Sequence, residues 1–215
     1  LFFVGRASAK KLCNLGIYTI GDLARTDVEI LKRHMKKQGE LIWNFANGRD
    51  FSLVEAVPPP NKGYGNSTTI PVDVTSASQA SLVLLALAET VGARLRKDGK
   101  KAEVLSVSIK DYLFQTASHQ CRLPAPTNIT EELHRHACSL FLKLWDGLPI
   151  RHLGIHTGRI QDENAMRQME LFDTRDYGKL ERLDRAVDTI RRRYGMDAVK
   201  RAVFLESPID HMSGG

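Results

Sequence analysis

The apolar residues of this chain recur with two different periods, and the architecture changes where the period does. Over residues 1–50 the spacing is helical and the runs are short. Ser8–Leu15 carries Leu12 and Leu15 and stops at Gly16, a residue suited to ending a helix. Ile20–Ala24 follows after one turn. Asp27 is placed to cap a helix in which Ile30, Leu31 and His34 share a side. Glu40–Ala46 brings Leu41, Ile42 and Phe45 together and ends at Gly48. Pro58, Pro59 and Pro60 then stop regular structure, and with Asn61, Lys62 and Gly63 they predict an extended linker.

From residue 66 the pattern alternates between strand and helix. Asn66–Val74 is strand-like. A helix opens at Ser76 or Ser78 and carries Leu82, Leu85, Ala88 and Leu95 at helical spacing up to Gly99. Glu103–Leu113 has period two, with Leu105, Val107 and Ile109 on one face and Ser106, Ser108 and Lys110 on the other. Thr116–Leu123 repeats this, with Thr116, Ser118, Gln120 and Arg122 on its polar face. Thr130 begins a second helix with Leu140, Leu144 and Trp145 on its apolar side, and Arg151–Ile160 is the last strand. The order βαββαβ predicts an α+β, ferredoxin-like sandwich in which two helices cover one sheet face and leave the other open. The expected division is a helical domain at 1–57, a linker at 58–65, the sandwich at 66–162 and a tail at 163–215. In the tail, Lys179–Tyr194 sets Leu180, Leu183, Val187, Ile190 and Tyr194 on a narrow seam. That seam is expected to pack on the sandwich or on a partner protein.

Composition narrows the function. The 31 basic and 25 acidic residues leave a net charge of +6. All the excess lies in residues 1–162, which suits a polyanionic partner. No window of 18 apolar residues exists, so no membrane partner is expected. The start, LFFVGRASAKK, has no basic region ahead of an apolar core and no initiator Met, and reads as part of a longer chain rather than a signal peptide. Cys13, Cys121 and Cys138 are odd in number and far apart, which fits a reducing cytoplasm and gives no zinc or disulfide framework.

The open sheet face is the first candidate site. Its polar phase is Ser, Thr, Gln, Lys and Arg with almost no carboxylates, the set of donors that phosphate oxygens accept from. A purely solvated face would mix in Asp and Glu. Ser106, Ser108, Lys110, Thr116, Ser118 and Arg122 are therefore candidate phosphate contacts. Arg159 joins them only if the strand end twists or bulges, because it shares parity with Leu153 and Ile155.

The second candidate is Val4-Gly5-Arg6-Ala7-Ser8-Ala9-Lys10-Lys11-Leu12, followed by Leu15-Gly16-Ile17 and Thr19-Ile20-Gly21-Asp22-Leu23-Ala24. It resembles a helix-hairpin-helix element. In such an element a glycine turn exposes amides at a helix N-terminus and binds one phosphate without reading bases. Gly5, Arg6, Ser8, Lys10 and Lys11 would make this contact. The usual turn is Gly-hydrophobic-Gly; Phe3 stands where the first glycine would be.

Taken together, this block ending in Ala46-Asn47-Gly48-Arg49-Asp50, then Lys62-Gly63-Tyr64-Gly65-Asn66, then a βαββαβ unit closing with Ile150-Arg151-His152-Leu153-Gly154-Ile155 resembles the C-terminal half of Y-family translesion DNA polymerases of the bacterial DinB/UmuC (ImpB/MucB/SamB) type. The resemblance implies a thumb and a little finger that grip primer–template DNA independently of sequence, with Lys62 among the contacts. It also implies a role in DNA repair and damage bypass. Gln168-Met169-Glu170-Leu171-Phe172 is similar to the bacterial sliding-clamp-binding pentapeptide. It implies that Gln168, Met169, Leu171 and Phe172 bind the clamp, the apolar pair filling a pocket.

No catalytic residues are expected here. Nucleotidyl transfer needs paired carboxylates holding two Mg²⁺ ions, and the resemblance places those in a palm upstream. Asp73, Asp111, Asp146 and Asp162 are scattered and read as cap and turn residues. His134 and His136 do not share a helix face and read as a solvated pair. The chain alone is therefore expected to need no cofactor, the parent polymerase Mg²⁺. Two other readings stay open: a non-enzymatic clamp-binding adapter, and an RNA-binding module. The second would want aromatics where Ser106, Ser108, Thr116 and Ser118 stand.

Overall fold

A computed structural model of the chain describes residues 1–54, 56–57, 59–165 and 175–205. The chain divides into two compact units, residues 1–59 and 60–215. The first unit holds four short helices: α1 (Arg6–Asn14), α2 (Ile20–Arg25), α3 (Val28–Met35) and α4 (Lys37–Ala46). Polar side chains start two of them. Thr19 Oγ1 accepts from the Asp22 amide at 3.0 Å while Asp22 accepts from the Thr19 amide at 3.0 Å, a reciprocal cap on α2. Those bonds hold the Asp22 carboxyl below its ordinary range. Asp27 Oδ1 accepts from Glu29 N at 2.9 Å and starts α3. The core is Leu12, Ile17, Leu23, Leu31, Met35 and Ile42, each contributing roughly 1.5–3 kcal/mol by burial. Ile30 and Leu41, expected on the apolar sides, lie at the surface instead.

The second unit runs β1 (Gly65–Val74), α5 (Ala77–Lys97), β2 (Lys100–Asp111), β3 (Thr116–Thr127), α6 (Thr130–Leu144), β4 (Ile150–Asp162) and α7 (Tyr177–Tyr194). Short 3₁₀ turns follow at Met196–Ala198 and Ala202–Phe204. The strand order is β1-β4-β2-β3, with every neighbouring pair antiparallel. It follows that β1 and β2 run parallel with β4 between them, and β3 and β4 run parallel with β2 between them. These are two split βαβ units, the α+β sandwich expected. Ser76 Oγ caps α5 by accepting from Gln79 N at 3.3 Å. The alternation of β2 sends Leu105, Val107 and Ile109 into the core, where they meet Leu153 and Ile155 of β4, Leu84, Leu87 and Val91 of α5, and Leu133 and Phe141 of α6. With both helices on that face, the other face is left open.

The tail helix corrects the sequence reading. α7 docks on this unit, but through charge rather than through the apolar seam. Leu183, Ile190 and Tyr194 are exposed, while Asp184 and Arg191 are buried. Arg96 of α5 donates Nε and Nη2 to Asp188 at 2.6 and 3.0 Å, and Nη1 to Asp184 at 3.1 Å. Glu89 of α5 takes Arg191 at 3.1 Å and Arg201 at 2.7 Å. α6 has no side-chain cap from its own N-cap residue, Ile129. Asp184 supplies one from α7, accepting from Thr130 N at 2.8 Å. The face of a helix that packs is the face whose partners exist. Here α5 offers Arg96 and Glu89, so the complementary charges turn inward and three of the seam's five residues turn out.

Candidate nucleic-acid interface

Strand register places the polar residues of the open face in rows, because directly paired residues share a side. Thr69, His152, Lys110 and Thr116 form one row across β1, β4, β2 and β3. Ser67, Gly154, Ser108 and Ser118 form the next. Gly65, His156, Ser106 and Gln120 form the third, and Gly158, Val104 and Arg122 the last. No Asp or Glu occupies any position of these rows. The centre is low by necessity. A Cβ on Gly154 would come within 2.8 Å of Ser108 Oγ and 2.9 Å of Ser67 Cβ, so no larger residue fits between the two serines without displacing them.

The six expected open-face residues, Ser106, Ser108, Lys110, Thr116, Ser118 and Arg122, all stand on this surface. Arg122 is not an isolated cation, since it lies 3.6 Å from Glu103 with most of its side chain exposed. Arg159 has the wrong parity, as expected from its spacing, and the backbone compensates. Its φ of +50° is a left-handed conformation that side chains rarely adopt. There it lines a shallow cavity of about 550 Å³ with Val104, Ser106, Gln120, Arg122, His156 and Gly158, residues of the open face. Lys62 is exposed just before β1.

Sequence reasoning missed Ser67, Thr69, His152 and His156. The signal was available: His152, Gly154 and His156 alternate with Leu153 and Ile155, and the buried phase of β4 fixes the polar one. His152 Nδ1 lies 3.2 Å from Thr69 Oγ1.

In the first unit, Gly5 N-caps α1 without a side-chain cap, so the first amides of α1 have no protein side chain serving them from that position. Arg6 is exposed at this helix start, and Lys10 and Lys11 are exposed further along α1, Lys11 in its last turn. Ser8 Oγ is engaged within the unit, accepting from Gln38 Nε2 at 3.2 Å. Phe3 carries the strain of the missing glycine, with φ +62°, the left-handed conformation a glycine would take freely. Stacking of its ring on Phe45 at 5.8 Å and a 2.9 Å bond from Gln38 Nε2 to its carbonyl hold it there.

The remaining candidates resolve into structure. Asp111 and Asp146 accept turn amides from Gln115 and Leu148. Asp73 and Asp162 pair instead with Arg151 and Lys100. His134 and His136 are not a solvated pair: both are half-buried, and His134 Nε2 sits 3.0 Å from Ser81 Oγ and 3.2 Å from Cys138 Sγ. Ser81 belongs to α5, which covers His134. Burial pushes the Cys121 and Cys138 thiols up, away from nucleophilic thiolate. Among the described residues, no three His, Cys, Asp or Glu side chains cluster as a metal site would require, and no helix is long and apolar enough to cross a membrane. Gln168–Phe172 lies outside the described residues.

Residues 61–171 match the model of the impB/mucB/samB family C-terminal domain. The chain belongs to that family. The resemblance read from its motifs is thereby borne out. It is 38% identical to DNA polymerase IV of Acetivibrio thermocellus over 210 residues, which cover 96% of this chain and 53% of that protein. It is 35% identical to DNA polymerase IV of Clostridium acetobutylicum over 206 residues (96% and 52%) and 34% identical to DNA polymerase IV 2 of Bacillus subtilis over 210 residues (95% and 50%). The chain thus spans about half the length of the curated relatives it matches. The family's domain model ends at residue 171, short of α7. Matches covering 96% of the chain extend over that helix.

Proposed function

We propose that this chain is the DNA-holding part of a translesion polymerase, acting in the cytoplasm in damage bypass. The open face of the second unit lies along the phosphate backbone of primer–template duplex. The first unit adds a helix-hairpin-helix contact from the α1 start with Gly5, Arg6, Ser8, Lys10 and Lys11. The observation that carries this reading is the open sheet itself: rows of hydroxyls, imidazoles, an amide and cations with no carboxylate among them. Such a surface offers donors to phosphate oxygens and asks nothing of base edges, which suits distorted DNA. Gln168, Met169, Leu171 and Phe172 would tether the chain to a sliding clamp. The two-Mg²⁺ chemistry would belong to the part of the relatives' length that this chain does not span.

Fluorescence anisotropy with a labelled duplex tests the proposal. The chain should bind regardless of sequence, with affinity falling linearly in log salt at a slope of roughly −0.9 per phosphate neutralised. The variant Lys110→Glu/Arg122→Glu should lose tenfold or more. Clamp capture that survives while duplex binding shows no salt slope would replace this reading with the adapter one. Leu171→Ala/Phe172→Ala should abolish that capture.

A further inference from the structure

Fixed charge on the open face is confined to its ends. Lys110 stands in the first row, and Arg122 and Arg159 stand at the opposite end, where Glu103 sits 3.6 Å from Arg122. The middle belongs to β4, a central strand, whose open-face residues read His152, Gly154, His156, Gly158. The two imidazoles are about 13 Å apart along the strand by its rise. Both are built into their places. His152 faces Thr69 of β1 at 3.2 Å. The His156 ring lies against the backbone at the start of β1, where a Cβ on Gly65 would come within 2.7 Å of Nδ1 and one on Gly63 within 2.9 Å of Nε2. Glycine at both positions leaves the ring its room.

The charged neighbours are few. From β2, Lys110 pairs with His152 across the sheet. From β1, the opposite position is Thr69, and Asp73 is engaged with Arg151 at 3.3 Å. Around His156 stand Arg122 and Arg159, with Glu103 beyond Arg122 and bonded to Gln161 at 3.0 Å. Ser106 and Gly65, its direct partners, carry no charge. The helices pack on the other side of the sheet. Burial first, and then the Lys110 ammonium, hold the His152 imidazole below its ordinary value.

We propose that His152 and His156 are phosphate-binding residues of the open face that take up protons as DNA binds, so that the grip tightens as pH falls through the imidazole range. The proposal rests on the phosphate-binding reading above and adds to it a proton linkage. A neutral imidazole offers a phosphate at most one N–H; the protonated ring offers two and a charge. A phosphate beside the ring favours the charged form, so affinity and protonation rise together.

The test is anisotropy with a fluorescein-labelled duplex and the whole chain at constant ionic strength, from pH 8 to pH 6. Affinity should rise roughly tenfold, and the salt slope should steepen by between one and two contacts' worth. In His152→Gln/His156→Gln, checked as folded by circular dichroism, the rise should vanish. His34→Gln/His119→Gln/His136→Gln should keep it, because those three lie off this face. A pH response equal in the native chain and the double variant overturns the proposal, as does a flat response in a native chain that still binds with a salt slope; either leaves the phosphate reading standing. Absence of salt-dependent duplex binding at every pH removes both.

Discussion

The second unit has two polar surfaces, and they use their polarity in opposite ways. On the open sheet, hydroxyls, imidazoles, an amide and cations stand in rows with no carboxylate among them. On the far side of the helices, between α5, α6 and α7, every charge has a partner: Arg96 meets Asp184 and Asp188, and Glu89 meets Arg191 and Arg201. Composition alone would call both surfaces hydrophilic. The difference is complementarity. A surface whose charges are matched within the chain is finished, and burying it is tolerable because each charge keeps its partner. A surface whose rows hold cations and no carboxylates is left for something else to complete.

Three variants probe that contrast. The largest effect is expected from Arg96→Ala. Its guanidinium is 5% exposed and serves two carboxylates, the Asn128 carbonyl and Thr130 Oγ1. Removing it strands two aspartates and should cost roughly 3–5 kcal/mol, read from urea denaturation. Duplex affinity, measured where the variant remains folded, should not change. Replacing the whole cluster by Arg96→Met/Asp184→Leu/Asp188→Leu sharpens the point. Stability should recover most of that loss, because no buried charge is stranded, but stay roughly 1–2 kcal/mol below the native chain, because the Thr130 amide loses Asp184. A triple variant as unstable as Arg96→Ala would mean the charges contribute more than pairing. The smallest effect is expected from Leu183→Ser/Ile190→Ser, which alters residues 54% and 38% exposed. It should move stability by no more than about 0.5 kcal/mol per site. A larger loss would restore the apolar seam as the docking surface.

That last pair marks where the sequence was readable and where it was not. The alternation of β2 and β3 fixed which residues face the open side, because a period of two leaves no third choice. Ser76 and Asp27 announced their helices through short-range chemistry. The seam of α7 misled because a hydrophobic pattern says which face would gain most from burial, and says nothing of what stands opposite. Arg96 and Glu89 lie some ninety residues earlier, and no local pattern links them to Asp184 and Arg191. Arg159 was half legible. Its parity was plain, but the left-handed backbone that turns it toward the open-face cavity has no sequence signature in a non-glycine residue. Phe3 is the same case: the motif shows that a glycine is missing, and only the fold shows that phenylalanine takes up its conformation.

The bond from Thr130 N to Asp184 has a bearing on how this domain is made and how it should be cut. A helix whose first turn is completed by a side chain 54 positions downstream cannot finish while that side chain is still inside the ribosome. Sheet and helices can assemble earlier, but the Thr130 amide meets Asp184 only once the tail arrives. A version trimmed after β4, where a domain map would place the scissors, would keep that unfinished state permanently.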